Sequence, residues 1–457
     1  MKDAGKRQSI FKLPTISWAI YDLANTIFSL AILSFFFPLW ITRDNGGVSS
    51  AEYAMTVAIS MLAAAAILPI LGAISDTYGK RIPFLRIFVI ICVGCTALLG
   101  QSQSMILPLI LFAIANFAYQ SAEVFYNALL PQVSTAENRG IVSGFGVGIG
   151  YIGSILTIIL LAPLATAEGA DESATFIPTA ILYIVIALPL FFAIRERRPD
   201  ERKFDWRIIV EGYRQLFATL KNIKQNRNLF QFITARFFYL DAINTLIAFM
   251  AIYITSILGE DAAKTEALNL AGISFTGTEL VLILGVLSAL FSAFLYGWMV
   301  TKIGPKVTLL IILAIWSVSL LWAVFASEIV QFYGVAVLAG SALGGTWTAD
   351  RVLLTRIAPV GQVGQFFGLY QMVGRLSAVV GPLIWAAVTA TQWVLIAKIF
   401  NWVGSDWISG QVMSFTEYES SRMRIALIAL LGLLVVGVAV LRKVKDEEHP
   451  SQHSSQV

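Results

Sequence analysis

The amino-acid sequence predicts an all-α membrane protein with twelve transmembrane helices in two related halves. Hydrophobic residues make up 57% of the chain and charged residues 13%, against about 25% charged in soluble domains. The apolar residues gather in runs of about twenty, the length that a helix needs to cross a bilayer. A polar motif inside the first run, DLANT at residues 22–26, returns inside the seventh as DAINT at residues 241–245. This repeat indicates two halves around one central path.

Each predicted span ends where its apolar run ends. The spans are residues 17–41, 51–74, 84–101, 105–128, 139–163, 176–195, 230–258, 278–301, 307–326, 329–350, 365–390 and 422–442. The tenth is the weakest, since it is rich in Gly and Ala, which let membrane helices pack closely. Basic residues gather at the N-terminus, after the second and sixth spans, and in the tail. By the positive-inside rule both termini are cytoplasmic, and the loops 164–175 and 391–421 lie outside.

The longest cytoplasmic connection divides the chain. We expect an N-terminal six-helix bundle at 1–195, a linker at 196–229, a second bundle at 230–442 and a polar cytoplasmic tail at 443–457. Apolar residues recur in the linker at helical spacing between basic ones: Trp206, Ile209, Val210, Tyr213, Leu216, Phe217, Leu220 and Ile223. This pattern predicts an amphipathic helix on the inner membrane surface, with a regulatory docking role as the alternative. The outer loop carries Trp393, Trp402 and Trp407, which suit an interfacial belt.

A glycine-rich motif with one acid follows the second span. It consists of Gly72, Asp76, Gly79, Lys80 and Arg81. The glycines allow a tight turn and close backbone approach. The carboxylate can pair with a base or cap a neighbouring helix N-terminus, so the motif is a candidate conformational latch. A degraded copy at 297–306 has Thr301 where the first has the acid, and charge pairing is expected to be lost there.

This motif resembles the G-x-x-x-D-x-x-G-[RK]-[RK] signature of the major facilitator superfamily. The stretches YDLANT and FFFPLW in the first span, and 125–131 with the glycine-rich 139–153, look like one branch of it. That branch contains the autophagy-related vacuolar amino-acid effluxer of fungi and its bacterial relatives. The resemblance implies a major facilitator fold of two pseudo-symmetric six-helix bundles. It also implies a secondary transporter of small solutes, amino acids among them, working by alternating access. Glycoside–cation symporters, which carry sugars and also open with an acid-bearing helix, are the runner-up.

The fourth span carries a polar stripe at helical spacing, formed by Asn116, Gln120, Glu123 and Asn127. Such a stripe is costly against lipid, so it is expected to face the interior. The resemblance implies that spans one, four, seven and ten line the cavity. The candidates for substrate binding or coupling are Asp22, Asn25, Gln120, Glu123, Asn127, Arg236, Asp241, Asn244 and Trp347. Glu123 is expected to matter most, either as the site of a coupling proton or as the partner of a buried Arg236.

Several of these residues have plainer interpretations. Asp22 and Asp241 could brace neighbouring helices near the cytoplasmic surface. Arg236 and Asp241 are five residues apart on one helix, on different faces, and are not expected to pair.

Three further charged residues are given structural roles. Arg375 in span eleven is interpreted as a brace between the halves. Asp350 and Arg351 lie at the predicted end of span ten, where pairing at the surface is expected, and Arg351 is also a candidate for the cavity if span ten lines it. The glycine run at 144–153 is interpreted as helix packing, because no strand precedes it as in a nucleotide-binding loop.

No enzyme motif is visible in the sequence. Walker A, metal-cluster and nucleophile–base patterns are missing, and Cys92 and Cys95 lie in an apolar span without histidine. We expect no enzymatic activity, no cofactor or metal, and no nucleic-acid partner. The expected partners are a small-molecule solute, protons or sodium, and membrane lipids, with the protein a monomer in a bacterial inner membrane. Facilitated exit without coupling, and a lipid scramblase or sensor on the same fold, are the alternatives.

Overall fold

The computed structural model of the chain describes residues 12–42, 48–102, 106–194, 196, 205–221, 226–259, 266–270, 273–359, 361–389 and 419–447. Within them, eleven helices are long and apolar enough to cross a membrane, and Ile82–Leu98 is a shorter apolar helix. These twelve helices match the twelve predicted spans, so the all-α fold class is confirmed.

The helices are numbered α1 to α12 in chain order. The first half holds α1 (Leu13–Ile41), α2 (Ser50–Tyr78), α3 (Ile82–Leu98), α4 (Ile106–Ala128), α5 (Arg139–Ala165) and α6 (Phe176–Ala193). The second half holds α7 (Arg227–Leu258), α8 (Gly277–Ile303), α9 (Pro305–Phe325), α10 (Ile329–Ile357), α11 (Val363–Thr389) and α12 (Glu419–Arg442). One-turn helices at Leu130–Val133 and Glu172–Thr175 join their neighbours.

The first helix is not regular throughout. Its α-helical part, Leu13–Phe28, continues as a π-helical stretch at Ser29–Phe35 and ends as an α-helix at Phe36–Ile41. Pro38 in the last part has no N–H to donate to the preceding turn. The π-helical turns lie directly before this last part, and such stretches often occur at functional sites.

The two halves meet mainly through α2 against α11 and α5 against α8. We call the membrane side that holds the start of α1 and the end of α12 the terminal face. A Cβ added to Gly72 of α2 would lie 2.1 Å from the carbonyl oxygen of Gly364 in α11. A Cβ on Gly297 of α8 would lie 2.8 Å from the carbonyl oxygen of Gly140 in α5. Both crossings lie near the terminal face, and both need glycine for helix backbones to touch.

The glycine run in α5 serves packing, as the sequence predicted. A Cβ at Gly144 would lie 2.3 Å from the Ala293 carbonyl oxygen, and one at Gly153 would lie 2.7 Å from the Leu23 carbonyl oxygen. The helix therefore contacts α8 with one side and α1 with another. Its small residues bring the second half close to the helix that carries the first polar motif.

Two elements lie outside the twelve helices. The linker helix, Trp206–Lys221, lies within the predicted linker and packs on α2. A two-stranded antiparallel hairpin, Glu266–Leu270 with Ile273–Thr276, precedes α8. The amino-acid sequence predicts a loop at the hairpin segment, because each strand is too short to show a pattern. The outer tryptophans of 391–421 lie outside the described residues.

The first testable consequence is the topology. With Cys92 and Cys95 replaced by alanine, Ala170→Cys on the face opposite the termini should react with an impermeant maleimide on whole cells. Lys445→Cys, on the terminal face, should react only after the membrane is opened. Labelling intensity on gels measures both, and the reverse pattern would overturn the orientation expected from the basic residues.

Candidate functional site

A polar cavity of about 360 Å³ lies between the two halves. Its charged and amide residues come from α1, α4, α7, α10 and α11, whereas α5 contributes small and aromatic residues. The lining consists of Asp22, Asn25, Thr26, Ser29, Leu33, Tyr119, Gln120, Glu123, Asn127, Val147, Gly150, Tyr151, Arg236, Leu240, Asn244, Trp347, Arg351, Tyr370, Gln371, Gly374 and Arg375. Spans one, four, seven and ten were expected, and α5 and α11 join them.

Eight of the nine residues proposed for substrate binding or coupling line this cavity. They are Asp22, Asn25, Gln120, Glu123, Asn127, Arg236, Asn244 and Trp347. The stripe on α4 faces inward as expected, with Asn116 and Gln120 at 1% and 0% exposure. The amide of Gln120 donates to Asn116 Oδ1 at 3.2 Å, and Asn116 Nδ2 donates to Ser60 Oγ at 2.8 Å. These bonds fix the amides of α4 before any solute is present.

Asp241 is the exception, and the prediction that it belongs to the cavity is wrong. Its Oδ1 accepts the backbone N–H of Gly381 at 2.7 Å, so the carboxylate is bound to α11. In both motif copies the threonine hydroxyl donates to the aspartate carbonyl four residues earlier, at 2.9 Å for Thr26 and 2.7 Å for Thr245. The local structure repeats, but the second copy turns its acid toward a neighbouring helix. The alternative given to Asp241, a helix brace, fits the structure.

Arg351 of α10 reaches from the second half into the first. Its Nε donates to Ser143 Oγ at 2.7 Å and its Nη2 to the Ser143 carbonyl at 2.6 Å. Its Nη1 lies 3.5 Å from Asp22 Oδ2 and 3.5 Å from Asn127 Oδ1. The guanidinium also lies 4.8 Å from the ring centre of Trp18. One side chain therefore joins α1, α4 and α5 to α10 at the end of the cavity nearer the terminal face.

The expectation that Asp350 and Arg351 pair at the surface is wrong. Their exposures are 0% and 4%. The reason is helix length: α10 continues to Ile357, whereas the sequence placed its end at 350. The residues after 350 are mixed polar and apolar, so hydropathy alone ended the span early. The continued helix carries both charges into the protein interior.

Glu123 is held by amides and not by a cation. Asn25 Nδ2 donates to its Oε1. Asn127 Nδ2 lies 3.3 Å and Gln371 Nε2 3.5 Å from its Oε2. Asn25 is itself oriented by Tyr183, whose hydroxyl donates to Asn25 Oδ1 at 2.9 Å. The alternative in which Arg236 is the partner of Glu123 is therefore not what the structure shows.

Arg236 forms a cluster within the second half. Its Nε lies 3.2 Å from Asp350 Oδ2, and its Nη1 donates to the Tyr370 carbonyl at 2.7 Å. The hydroxyl of Tyr370 donates to Asp350 Oδ1 at 2.8 Å, and that of Tyr239 to Oδ2 at 3.4 Å. Arg236 and Asp241 do not pair, as predicted. The cluster ties α7, α10 and α11 together, and Arg236 and Tyr370 form part of the cavity wall.

Arg375 of α11 lines the cavity without an ion pair. No carboxylate oxygen lies within 4 Å of it in the described residues, and its Nε has no hydrogen-bond partner there. A brace between the halves was expected at Arg375, whereas the hydrogen bond across the halves comes from Gln371, one turn earlier on α11. Tyr119, Tyr151 and Tyr370 were missed entirely, because tyrosine in an apolar span gives no signal that separates a cavity wall from the core.

The turn after α2 forms a separate contact between the halves, on the terminal face. The Asp76 side chain is fully buried and accepts from the N–H groups of Gly364 at 2.9 Å and Gln365 at 2.7 Å. It also lies 3.0 Å from Arg81 Nη2. The acid thus caps the N-terminus of α11 and pairs with a base at once, both of which the motif suggested.

The other motif residues have distinct places around this turn. Gly79 ends α2 with φ +74°, a left-handed conformation that favours glycine. In the described residues Lys80 makes no ion pair with Asp76. At the second copy, Thr301 Oγ1 donates to the Gly297 carbonyl of its own helix at 3.0 Å. The glycine crossing is thus kept in the second half without an acid.

The family model described as "Vacuole effluxer Atg22 like" matches residues 47–392, about three quarters of the chain. The chain belongs to the Atg22-like family. The match begins after α1 and reaches through both halves, and it includes the glycine-rich motif after α2 and the stretches at 125–131 and 139–153 that carried part of the resemblance. It favours this branch over the glycoside–cation symporters.

Two relatives and one solved structure place the Atg22-like chain among MFS transporters. An uncharacterized MFS-type transporter, YxiO, of Bacillus subtilis (strain 168) is 27% identical over 89% of this chain and 95% of its own length. Autophagy-related protein 22 of Kluyveromyces lactis is 23% identical over 64% of this chain and 63% of its own. A bacterial homologue of the iron transporter ferroportin, in an outward-facing state, superposes with a TM-score of 0.65 at 15% identity, covering 95% and 99% of the two chains. The last likeness shows the fold alone.

The cap at Asp76 gives the second testable consequence. Asp76→Asn replaces a carboxylate oxygen that faces backbone N–H groups and removes the charge that faces Arg81. We expect the substitution to lower the free energy that stabilises the α2–α11 contact at the terminal face by about 1–3 kcal/mol. Reactivity of a cysteine at Val363, which is buried at the start of α11 beside this contact, should rise, and solute flux should fall while ligand binding is kept.

Thr301→Val at the equivalent turn is the matched control. Its hydroxyl bonds only within its own helix in the described residues, so accessibility and flux should stay at the wild-type level. Wild-type values for Asp76→Asn as well would leave Asp76 with no role in holding the halves together.

Proposed function

We propose that this protein is a secondary transporter that moves a small zwitterionic solute, of the amino-acid class, through the cavity by alternating access. The observation that supports this proposal is the charge arrangement. Asp22 faces Arg351 and Asp350 faces Arg236. This pairing leaves one carboxyl from the first half, Glu123, and one guanidinium from the second, Arg375.

The two unpaired groups match the two ends of an amino acid. A guanidinium binds a carboxylate through two parallel hydrogen bonds, and a carboxyl with amide neighbours can accept from an ammonium group. Because the groups belong to different halves, a solute that bridges them would draw the halves together. The aromatic and amide groups around them would bound the side chain. A sugar has no charge to satisfy either group, so the symporter alternative gains no support here.

Glu123 is the proposed coupling residue. Its three amide neighbours have both donors and acceptors, so they can serve the carboxylate and, after rotation, the carboxylic acid. A cation in the same place would favour only the charged form. Coupling to a proton gradient is therefore proposed at this residue, with uncoupled exit as the competing outcome.

The contacts between the halves close the cavity on one side, as alternating access requires. In the described residues, hydrogen bonds between the halves lie at the cavity or between it and the terminal face. If the basic connections are cytoplasmic, this arrangement is closed toward the cytoplasm. Transport then requires the Asp76 and Arg351 contacts to open as the halves rock.

The third testable consequence concerns coupling. Glu123→Gln keeps the size and the amide contacts but cannot exchange a proton. In proteoliposomes we expect counterflow at saturating amino acid to continue, because the glutamine oxygen can still accept from the ammonium group, while uptake driven by a proton gradient falls to the level without a gradient. The melting temperature should change little, because in the described residues Glu123 makes no ion pair that the substitution could break.

Asp241→Asn is the matched control for this experiment. It also removes a membrane-embedded carboxylate, but one that bonds to the α11 backbone outside the cavity. It should keep proton-driven uptake. If Glu123→Gln accumulates solute normally, proton coupling at this residue is wrong, and absence of solute flux in wild type would instead favour the scramblase or sensor alternative.

The fourth testable consequence concerns the solute. Binding of an accepted amino acid to purified protein should weaken about 10- to 100-fold when Arg375 becomes glutamine, the loss expected for a charge-assisted hydrogen bond. The corresponding amine without a carboxylate should bind weakly to wild type and be unaffected by Arg375→Gln. Lys302→Gln, an exposed charge change, is the control. Equal binding of the amine and the amino acid would contradict the zwitterion proposal.

A further inference from the structure

The linker helix has three faces, one of which packs on α2. Ile208, Gly212, Leu216 and Thr219 form the inner face, which packs on α2. A Cβ at Gly212 would lie 2.9 Å from Ile74 Cγ1 and 3.0 Å from the Ile74 nitrogen. The approach is close enough that only glycine fits, so the helix is firmly seated on α2.

The second face is apolar and exposed. Trp206, Val210, Tyr213 and Phe217 are exposed by 78%, 57%, 43% and 64%. Their spacing of four, three and four residues places them on one line along the helix. A contiguous line of this kind marks an interaction surface rather than scattered exposed residues.

The third face is basic and lies beside the apolar one. Arg207, Arg214 and Lys221 are all exposed and repeat every seven residues. Such a repeat forms a nearly straight line with steps of about 10 Å. Counting about 100° per residue, this line lies some 60° from the apolar line and on the side away from α2. Arg207 lies 3.9 Å from Asp205, but both side chains are well exposed, so this pair is weak.

The depth of the helix indicates what covers these faces. Its contact residues on α2, Ile74 and Thr77, lie within the last five residues of that helix, which ends at Tyr78. The distance from Ile74 to the helix end is about 6 Å along the axis. The linker helix therefore lies at the edge of the membrane, where acyl chains meet head groups.

We propose that the outer faces of the linker helix form a docking site for anionic phospholipid, with the apolar line among the acyl chains and the basic line on the head groups. The charge match is the argument for the occupant: each Lys or Arg near an anionic surface strengthens binding several-fold. A neutral lipid would satisfy the apolar line alone. The proposal is independent of the identity of the transported solute.

The proposed lipid site lies beside the Asp76 contact between the two halves. The residues of α2 that contact the linker helix flank Asp76, which caps α11 of the other half. Lipid bound along the basic line would hold the linker helix, and with it the end of α2, at a fixed depth. Anionic lipid is thus placed to influence the contact between the halves at the terminal face.

The experiment is hydrogen–deuterium exchange of residues 206–221 in full-length protein. The protein is placed in nanodiscs of phosphatidylcholine alone and in nanodiscs that also contain phosphatidylglycerol. We expect phosphatidylglycerol to slow exchange of this helix by roughly tenfold, and high salt to reverse most of that slowing. In Arg207→Gln/Arg214→Gln/Lys221→Gln the two lipid mixtures should give equal exchange.

Two further variants separate the causes. Lys302→Gln/Lys443→Gln/Lys445→Gln removes the same charge from exposed residues elsewhere on the terminal face and should keep the wild-type response. Trp206→Ala/Phe217→Ala should speed exchange in both lipid mixtures. The proposal is overturned if wild-type exchange is the same in both mixtures, or if the control triple variant loses the response as fully as the test triple variant.

Discussion

The central site depends on the contacts that the buried guanidinium of Arg351 makes across the two halves. The side chain originates in α10 and ends among Asp22, Asn127 and Ser143 of the first half. A charge in this position is tolerated only because the other half supplies its partners, and separation of the halves would leave it unpaired at considerable cost. The same contact fixes Asp22 at one end of the cavity. This side chain therefore links the geometry of the cavity to the closure of the terminal face, which the Asp76 contact also holds.

Glycine makes this contact geometrically possible. A Cβ at Gly146 of α5 would lie 3.2 Å from Arg351 Nη2 and 3.3 Å from Asp22 Oδ2. The pair fits because α5 presents only backbone there. The same helix touches α8 through Gly140 and Gly144, while α2 touches α11 through Gly72. Close backbone approach and charge pairing thus act together. The glycines allow the helices of the two halves to pack closely, and the charged side chains determine which residues pair across the contact.

The sequence predicted the fold well because hydropathy and basic residues carry that information directly. It also found the polar residues of α1 and α4, since a polar stripe against lipid is costly and must face inward. The sequence did not predict features that depend on tertiary packing. The end of α10 was placed too early, which took Asp350 and Arg351 out of the core. Asp241 was assigned by its likeness to Asp22, although α7 turns that position toward Gly381. Nothing in the sequence says which arginine meets which acid.

The two halves differ in one respect that bears on how the protein moves. Both halves cross at a glycine pair near the terminal face, but only the first carries an acid there, Asp76, on the N-terminus of α11. At the equivalent place Thr301 bonds within its own helix. The α2–α11 contact therefore depends on a charge, whereas the α5–α8 contact depends on packing that changes little with solvent. Rocking needs one contact that can be released and one that can serve as a pivot. We therefore propose that the contact at Asp76, on the side where the linker helix packs on α2, is the one that is released.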